Sequence, residues 1–241
     1  MQGYEPLDVL KPVGPDIWIV DGSAISFYGL PFSTRMTVIR LENGDLFLHS
    51  PIRLTAALAR DVAGLGRVRH LISPNWIHYS YIADWSRAFD ATTAWASPGV
   101  RARAATRLPD LKFDRDLDEA APEAWAGQID QMIVHGSKVH QEVVFFHRAA
   151  KVLILTDLIE NFEPARMAFW MRPLLWLGHV ADPDGRMPAD MAWTFRDGKD
   201  KLRAAVRRMM DWAPDTVILA HGRCYDRDAV GELRRAFRSV L

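Results

Sequence analysis

Three side chains able to hold a metal or handle a proton sit where apolar runs stop. Asp157 closes Val152-Leu-Ile-Leu-Thr156, His221 closes Val217-Ile-Leu-Ala220 ahead of Gly222, and His140 stands just before Glu142-Val-Val-Phe-Phe146. Short apolar runs of this length read as buried strands, and strand ends that open into loops are where rigid scaffolds present reactive groups. His and Asp are the donors that Zn²⁺ or Fe²⁺ accepts when no thiolate is on offer, and Cys224 is the only thiol in the chain. Taken alone, a strand-end Asp is a turn former or a helix cap. Three ligand types in the same position point to one shared site. Glu142, two residues on from His140, falls on the same side of a strand. It reads equally as a group orienting a ligand, as a base, or as a surface acid.

The elements that must position these groups follow from hydrophobic period and turn residues. Met36–Leu41 and Leu46–His49 flank Glu42-Asn-Gly-Asp45, and Asn-Gly between two apolar runs predicts a hairpin. A second hairpin is expected from Glu142–Phe146 and Lys151–Thr156 around His147-Arg-Ala-Ala150, which would leave His147 exposed. Further strands are expected at 16–20, 69–73, 92–96, 129–134 and 216–220. Helices are expected at 54–65, 81–89, 163–177 with a break at Pro173, 199–212 and 226–240. The stretch Asp110–Glu123, with six acids against two bases, reads as solvated loop. Hairpins first and strand–helix alternation later, without a Gly/Pro linker, predict one α+β domain over residues 1–241, layered as an αββα sandwich.

Composition narrows the function classes. The 241 residues carry 30 basic and 30 acidic groups, so no global field draws in nucleic acid or an anionic bilayer. One cysteine excludes an intrachain disulfide and a Cys-based zinc cluster. The N-terminus lacks the basic start and apolar run of a signal peptide, and the expected location is cytoplasmic. The greasiest window, Met167–Gly178, is interrupted by Arg172 and Pro173 and falls short of the roughly 20 residues a spanning helix needs. Its Phe169, Trp170, Leu174, Leu175 and Trp176 read as core or as an oligomer face in preference to a membrane contact. Phosphate loops, Ser elbows and His-Glu-x-x-His are absent from the sequence.

The order of these residues resembles the metallo-β-lactamase superfamily. There a metal-binding His precedes a hairpin whose second strand ends in a ligating Asp, matching His140 and Asp157, and a last strand ends in a His, matching His221. Ser73-Pro-Asn-Trp-Ile-His78, Ala83-Asp-Trp85 and Thr156-Asp-Leu-Ile-Glu-Asn161 are similar to an uncharacterised bacterial branch known as a domain of unknown function. The resemblance implies a four-layer αββα sandwich. It departs where the superfamily carries His-x-His-x-Asp-His: here Asn75, Ile77, Tyr79 and Ser80 stand at the four ligand positions, with His78 out of phase and Asp84 further on. That implies at most one Zn or Fe ion, or none, held by His140, Asp157 and His221 with His78 as a fourth ligand. Its rival for His78 is a ring packed among Trp76, Tyr79, Tyr81 and Trp85.

The resulting expectation is a metal-dependent hydrolase of a small-molecule ester or thioester, in which Asp157 is catalytic. The alternative is a metal-free, non-catalytic relative that binds a ligand or protein partner in an aromatic-lined cleft. A homo-oligomer is compatible with either, and no contact with nucleic acid or membrane is expected.

Overall fold

The computed structural model describes residues 3–27 and 29–241. They form two compact units, Gly3–Asp118 and Glu119–Leu241, each built on its own sheet.

The first unit has a seven-stranded sheet in chain order: β1 (Lys11–Gly14), β2 (Ile17–Phe27), β3 (Leu30–Arg40), β4 (Asp45–His49), β5 (Arg67–Ser73), β6 (Thr93–Ala96) and β7 (Arg115–Asp116). The strands are antiparallel up to β4 and parallel from there. The Asn-Gly hairpin is present, with Thr37 opposite His49 and Arg40 opposite Leu46. Gly44 takes φ +80°, and Asn43 Oδ1 accepts the Asp45 N–H at 2.9 Å, the Asx turn that such a sequence encodes. Helices α1 (Ala56–Ala63), α2 (Ile82–Ala88) and α3 (Val100–Arg107) belong to this unit. Thr55 caps α1 by accepting the Leu58 N–H. Leu58, Val62, Ile82, Trp85, Val100 and Ala104 join Leu46, Leu48 and Leu71 in the core.

The second unit has a four-stranded sheet ordered β11-β10-β9-β8, from β8 (Ile129–Val134), β9 (Glu142–His147), β10 (Val152–Leu155) and β11 (Thr216–Leu219). Strand β10 runs parallel to β11 and antiparallel to β9. The start of β9 and the ends of β10 and β11 therefore share one end of the sheet. Helices α4 (Arg172–Gly178), α5 (Ala189–Thr194), α6 (Lys199–Asp211) and α7 (Ala229–Ala236) complete the unit. As the sequence period requires, α6 buries Leu202, Ala205, Val206 and Met209 in a core with Leu153, Val217 and Phe146.

Four details differ from the sequence reading. Pro173 does not interrupt a helix; it lies in the first turn of α4, where a missing N–H costs nothing, and residues 164–166 and 169–171 are short 3₁₀ turns. The acidic stretch contains β7 and buries Leu111, Phe113 and Leu117. Helices α3 and α5 were not expected: α3 buries only Val100 and Ala104, and α5 has six residues, too few for a legible period. His147 is buried at the end of β9, opposite Val152, because β9 continues one residue further than the apolar run. Among the described residues no helix is long and apolar enough to cross a membrane.

Candidate metal centre

The pairing of β10 with β11 brings two of the predicted ligands together. Leu155 lies opposite Leu219, so two residues further on Asp157 meets His221. The Nε2 of His221 lies 3.1 Å from Asp157 Oδ1, and both side chains are buried. The antiparallel pairing of β9 with β10 brings the third. Ile154 lies opposite Phe145, which puts Glu142 level with Asp157 and His140 just beyond. Ligand atoms of His140, Glu142 and Asp157 lie within 4.8 Å of one another. Residues 140, 157 and 221 are far apart in the chain and share one end of one sheet.

Glu142 is no surface acid. It is fully buried and its two oxygens are divided between the backbone N–H groups at the end of β10: Oε1 accepts from Thr156 at 2.7 Å and Oε2 from Asp157 at 2.8 Å. Its Oε2 also faces His140 Nε2 at 3.5 Å. A carboxylate held by two amide donors is a strong, directional anchor. Burial works against a charge on the His140 ring, but the hydrogen bond and charge of Glu142, with the charge of Asp157, outweigh it and raise the His140 pKa.

The loops carrying these ligands are fixed by residues that sequence reasoning did not single out for that role. Ser137 Oγ accepts the N–H groups of Val139 and His140, at 3.1 and 2.9 Å, and donates to Thr194 Oγ1 at 2.8 Å. Asn161 holds the His221 loop. Its N–H donates to His221 O at 3.3 Å and its carbonyl accepts from Arg223 N at 2.8 Å. Its side-chain amide donates to Arg223 O and Asp182 Oδ1. Gly222 has φ +90°, and a Cβ there would lie 2.1 Å from Asn161 O, so the residue after His221 must be glycine. The Phe162 ring stacks near His221, with centroids 6.3 Å apart.

Glu160 was also missed as a site group. Burial pushes its carboxyl up to about 8, opposed by His221 and reinforced by Asp157 and Asp190. Glu160 thus interacts electrostatically with both His221 and Asp157. Its only sequence signal was its place in Thr156-Asp-Leu-Ile-Glu-Asn161.

His78 belongs to the first unit, in the loop after β5. Its Nδ1 is hydrogen-bonded to Ser50 Oγ at 2.7 Å, so a ligand role would fall to Nε2. Asn75, standing where a first metal-binding His was expected, is fully buried. Its Oδ1 accepts the N–H groups of Ile77 and His78, at 3.0 and 3.2 Å; this is an Asx turn in place of a ligand. Asp84 is half-buried and paired with Arg87. Tyr225, four residues after His221, donates to Gly185 O at 3.0 Å and accepts from Arg235. Cys224 is half-buried, and its Sγ accepts the Leu219 N–H at 3.5 Å.

The donor chemistry fits a divalent ion. Asp157 lies 3.1 Å from His221 and, on its other side, within 4.8 Å of His140 and Glu142, all of them buried, and imidazole and carboxylate are donors that zinc or iron accepts.

The fold is that of the metallo-β-lactamases. The metallo-β-lactamase DIM-1 matches with a TM-score of 0.64 and 13% identity, over 100% of this chain and 99% of that one. The enzyme from Pontibacter korlensis matches at 0.62 and 13%, over 95% and 98%. FIM-1 from Pseudomonas aeruginosa, solved in a mono-zinc form, matches at 0.63 and 9%, over 100% and 97%. Residues 15–190 match the family described as Domain of unknown function (DUF4336), and the chain belongs to that family. The matched span includes His140, Glu142 and Asp157 and ends before His221. No curated protein matches the sequence.

Proposed function

We propose that this protein is a cytoplasmic hydrolase of a small-molecule ester or thioester that uses one divalent ion, Zn²⁺ or Fe²⁺. The ligands would be His140, Asp157 and His221, with His78 as the fourth that the superfamily resemblance suggests. The observation that carries this reading is that buried Asp157 sits between two buried histidines at one end of one sheet, 3.1 Å from His221 and within 4.8 Å of His140. FIM-1, solved in a mono-zinc form, supports the idea that this fold can hold a single ion. When bound, such an ion polarises the substrate oxygen and lowers the pKa of a water.

The chain's own residues have distinct tasks in this reading. His221 Nε2 and Asp157 Oδ1 lie 3.1 Å apart, close enough for both to bind one ion. Glu142 fixes the backbone at Thr156 and Asp157, so the Asp157 carboxylate arrives already ordered. The low exposure of His140, Asp157 and His221 limits water around the reacting bond.

A second reading is a non-catalytic binding protein. It is favoured by the pairing of Asp157 with His221 and by the two amide donors on Glu142, which leave the centre internally compensated. Elemental analysis of purified protein, followed by hydrolysis assays on ester and thioester panels before and after chelation, separates the two. One ion per chain with chelator-sensitive hydrolysis supports the enzyme. Protein that stays metal-free after loading with Zn²⁺ or Fe²⁺ sinks it.

A further inference from the structure

The segment read from sequence as core or as an oligomer face is on the surface. Phe169 is 80% exposed and Leu177 73%, with Trp170, Leu174 and Trp176 between about half and 59% exposed. Only Met171 and Leu175 of this run turn inward, one helical turn apart. Residues 169, 173 and 176 and residues 170, 174 and 177 therefore form two adjacent outer rows, each at i, i+4, i+7. Helix α5, packed against α4, adds Trp193 at 63% exposure. Four large aromatics, at roughly 150–250 Å² each when whole, bring the patch to several hundred Å². That equals or exceeds the largest patch on a typical monomer, about 300–600 Å².

We infer that this face seats on an anionic lipid bilayer, with the rings and leucines in the acyl boundary and Arg172 at the headgroups. The charge pattern selects the occupant. From Pro164 to Ala181 there is no Asp or Glu, and Glu163 at its border is paired with Arg166 at 2.9 Å. Arg172 is exposed within the apolar face; Arg196, 4.0 Å over the Trp193 ring, is offset by Asp197 at 3.7 Å. Nearby acids are engaged: Asp190 accepts from Met191 N, and Asp197 faces Lys138 and Arg196. Aromatic and leucine side chains with arginines and no acids are the composition of a helix lying in a membrane interface. The cytoplasmic leaflet supplies the matching negative charge. A second copy of the chain fits less well, because a two-fold pairing sets the two copies' Arg172 side chains against each other with no acid from Pro164 to Ala181 to neutralise them. The expectation of no membrane contact rests on zero net charge and on Arg172 and Pro173 breaking the stripe. In the structure these two residues open α4 and the outer rows are intact.

This inference does not depend on the hydrolase reading. It is tested by co-sedimentation of the full chain with vesicles of phosphatidylcholine alone and of phosphatidylcholine with an equal part of phosphatidylglycerol. Binding to the anionic vesicles is expected, and high salt should weaken it. The double variant Phe169→Ser, Trp176→Ser should lose about tenfold or more in partitioning. Arg172→Glu should lose several-fold on anionic vesicles only. Melting temperatures should stay at the wild-type value, since the altered side chains are exposed. Equal binding to both vesicle types, or none, overturns the inference. So does a dimer in sedimentation velocity that the double variant abolishes without vesicle binding by the wild type.

Discussion

The carboxylate of Glu142 accepts the backbone N–H of Asp157 at 2.8 Å, while its other oxygen accepts that of Thr156 at 2.7 Å. A buried acid at the start of one strand thereby fixes the ligand at the end of the next. Glu142→Gln puts an NH₂ where one of two backbone donors now finds an acceptor. A buried donor left unpaired costs about 1–3 kcal/mol. The variant should lose about that much in denaturant unfolding and hold Zn²⁺ about 10–100-fold more weakly. An unchanged Zn²⁺ affinity would remove Glu142 from the centre.

Metal content and stability should move together. Because Asn75 makes a turn where a ligand was expected, purified protein should carry no more than one ion per chain. An ion bound only by the folded state stabilises by about 4 kcal/mol at a thousandfold excess over its Kd. Chelator and His221→Ala should each lower the melting temperature, and their effects should not add, since both remove the same term. Additive losses, or two ions per chain after gel filtration, contradict the one-ion centre. His78→Ala should weaken retention less than His221→Ala if His78 is only a fourth ligand.

Gly222→Ala tests the geometry of the His221 loop. The added Cβ would meet Asn161 O at 2.1 Å from a backbone at φ +90°, so the Asn161–Arg223 bridge must open. A loss of roughly 3 kcal/mol or more is expected, together with weaker Zn²⁺ binding. A variant as stable as wild type would show that the loop does not need this close approach.

Acid should destabilise the protein through His70. Burial lowers its pKa to about 4, opposed by Asp45 and helped by Arg69, and its Nδ1 accepts from Trp95 Nε1 at 3.3 Å. The folded pKa lies below the unfolded value near 6.5. Between the two, the unfolded chain binds the extra proton, and stability falls as pH drops through that window. From pH 7 to pH 5 the loss from this group is about 2 kcal/mol. His70→Gln should flatten the urea-midpoint profile over this range. An identical slope in variant and wild type would assign the acid sensitivity elsewhere.

The strands, both hairpins, the amphipathic α6 and the strand-end positions of His140, Asp157 and His221 were legible in the sequence, because period, Asn-Gly turns and apolar runs are local properties. The loss of His-x-His-x-Asp-His was legible too, as it is written in Asn75–Ser80. Tertiary structure decided the rest. Only strand register could show that Glu142 sits level with Asp157 and is buried, since a two-residue spacing from His140 suits a surface acid equally well. Only packing could show that His147 is buried at a strand end and that Glu160 stands beside His221. The run Phe169–Leu177 makes the same point in reverse. Its composition is that of a core, and only the inward turn of Met171 and Leu175 sends the remaining apolar side chains outward. A side chain's neighbours across a sheet, and the side of a short helix that meets the core, depend on residues distant in the chain.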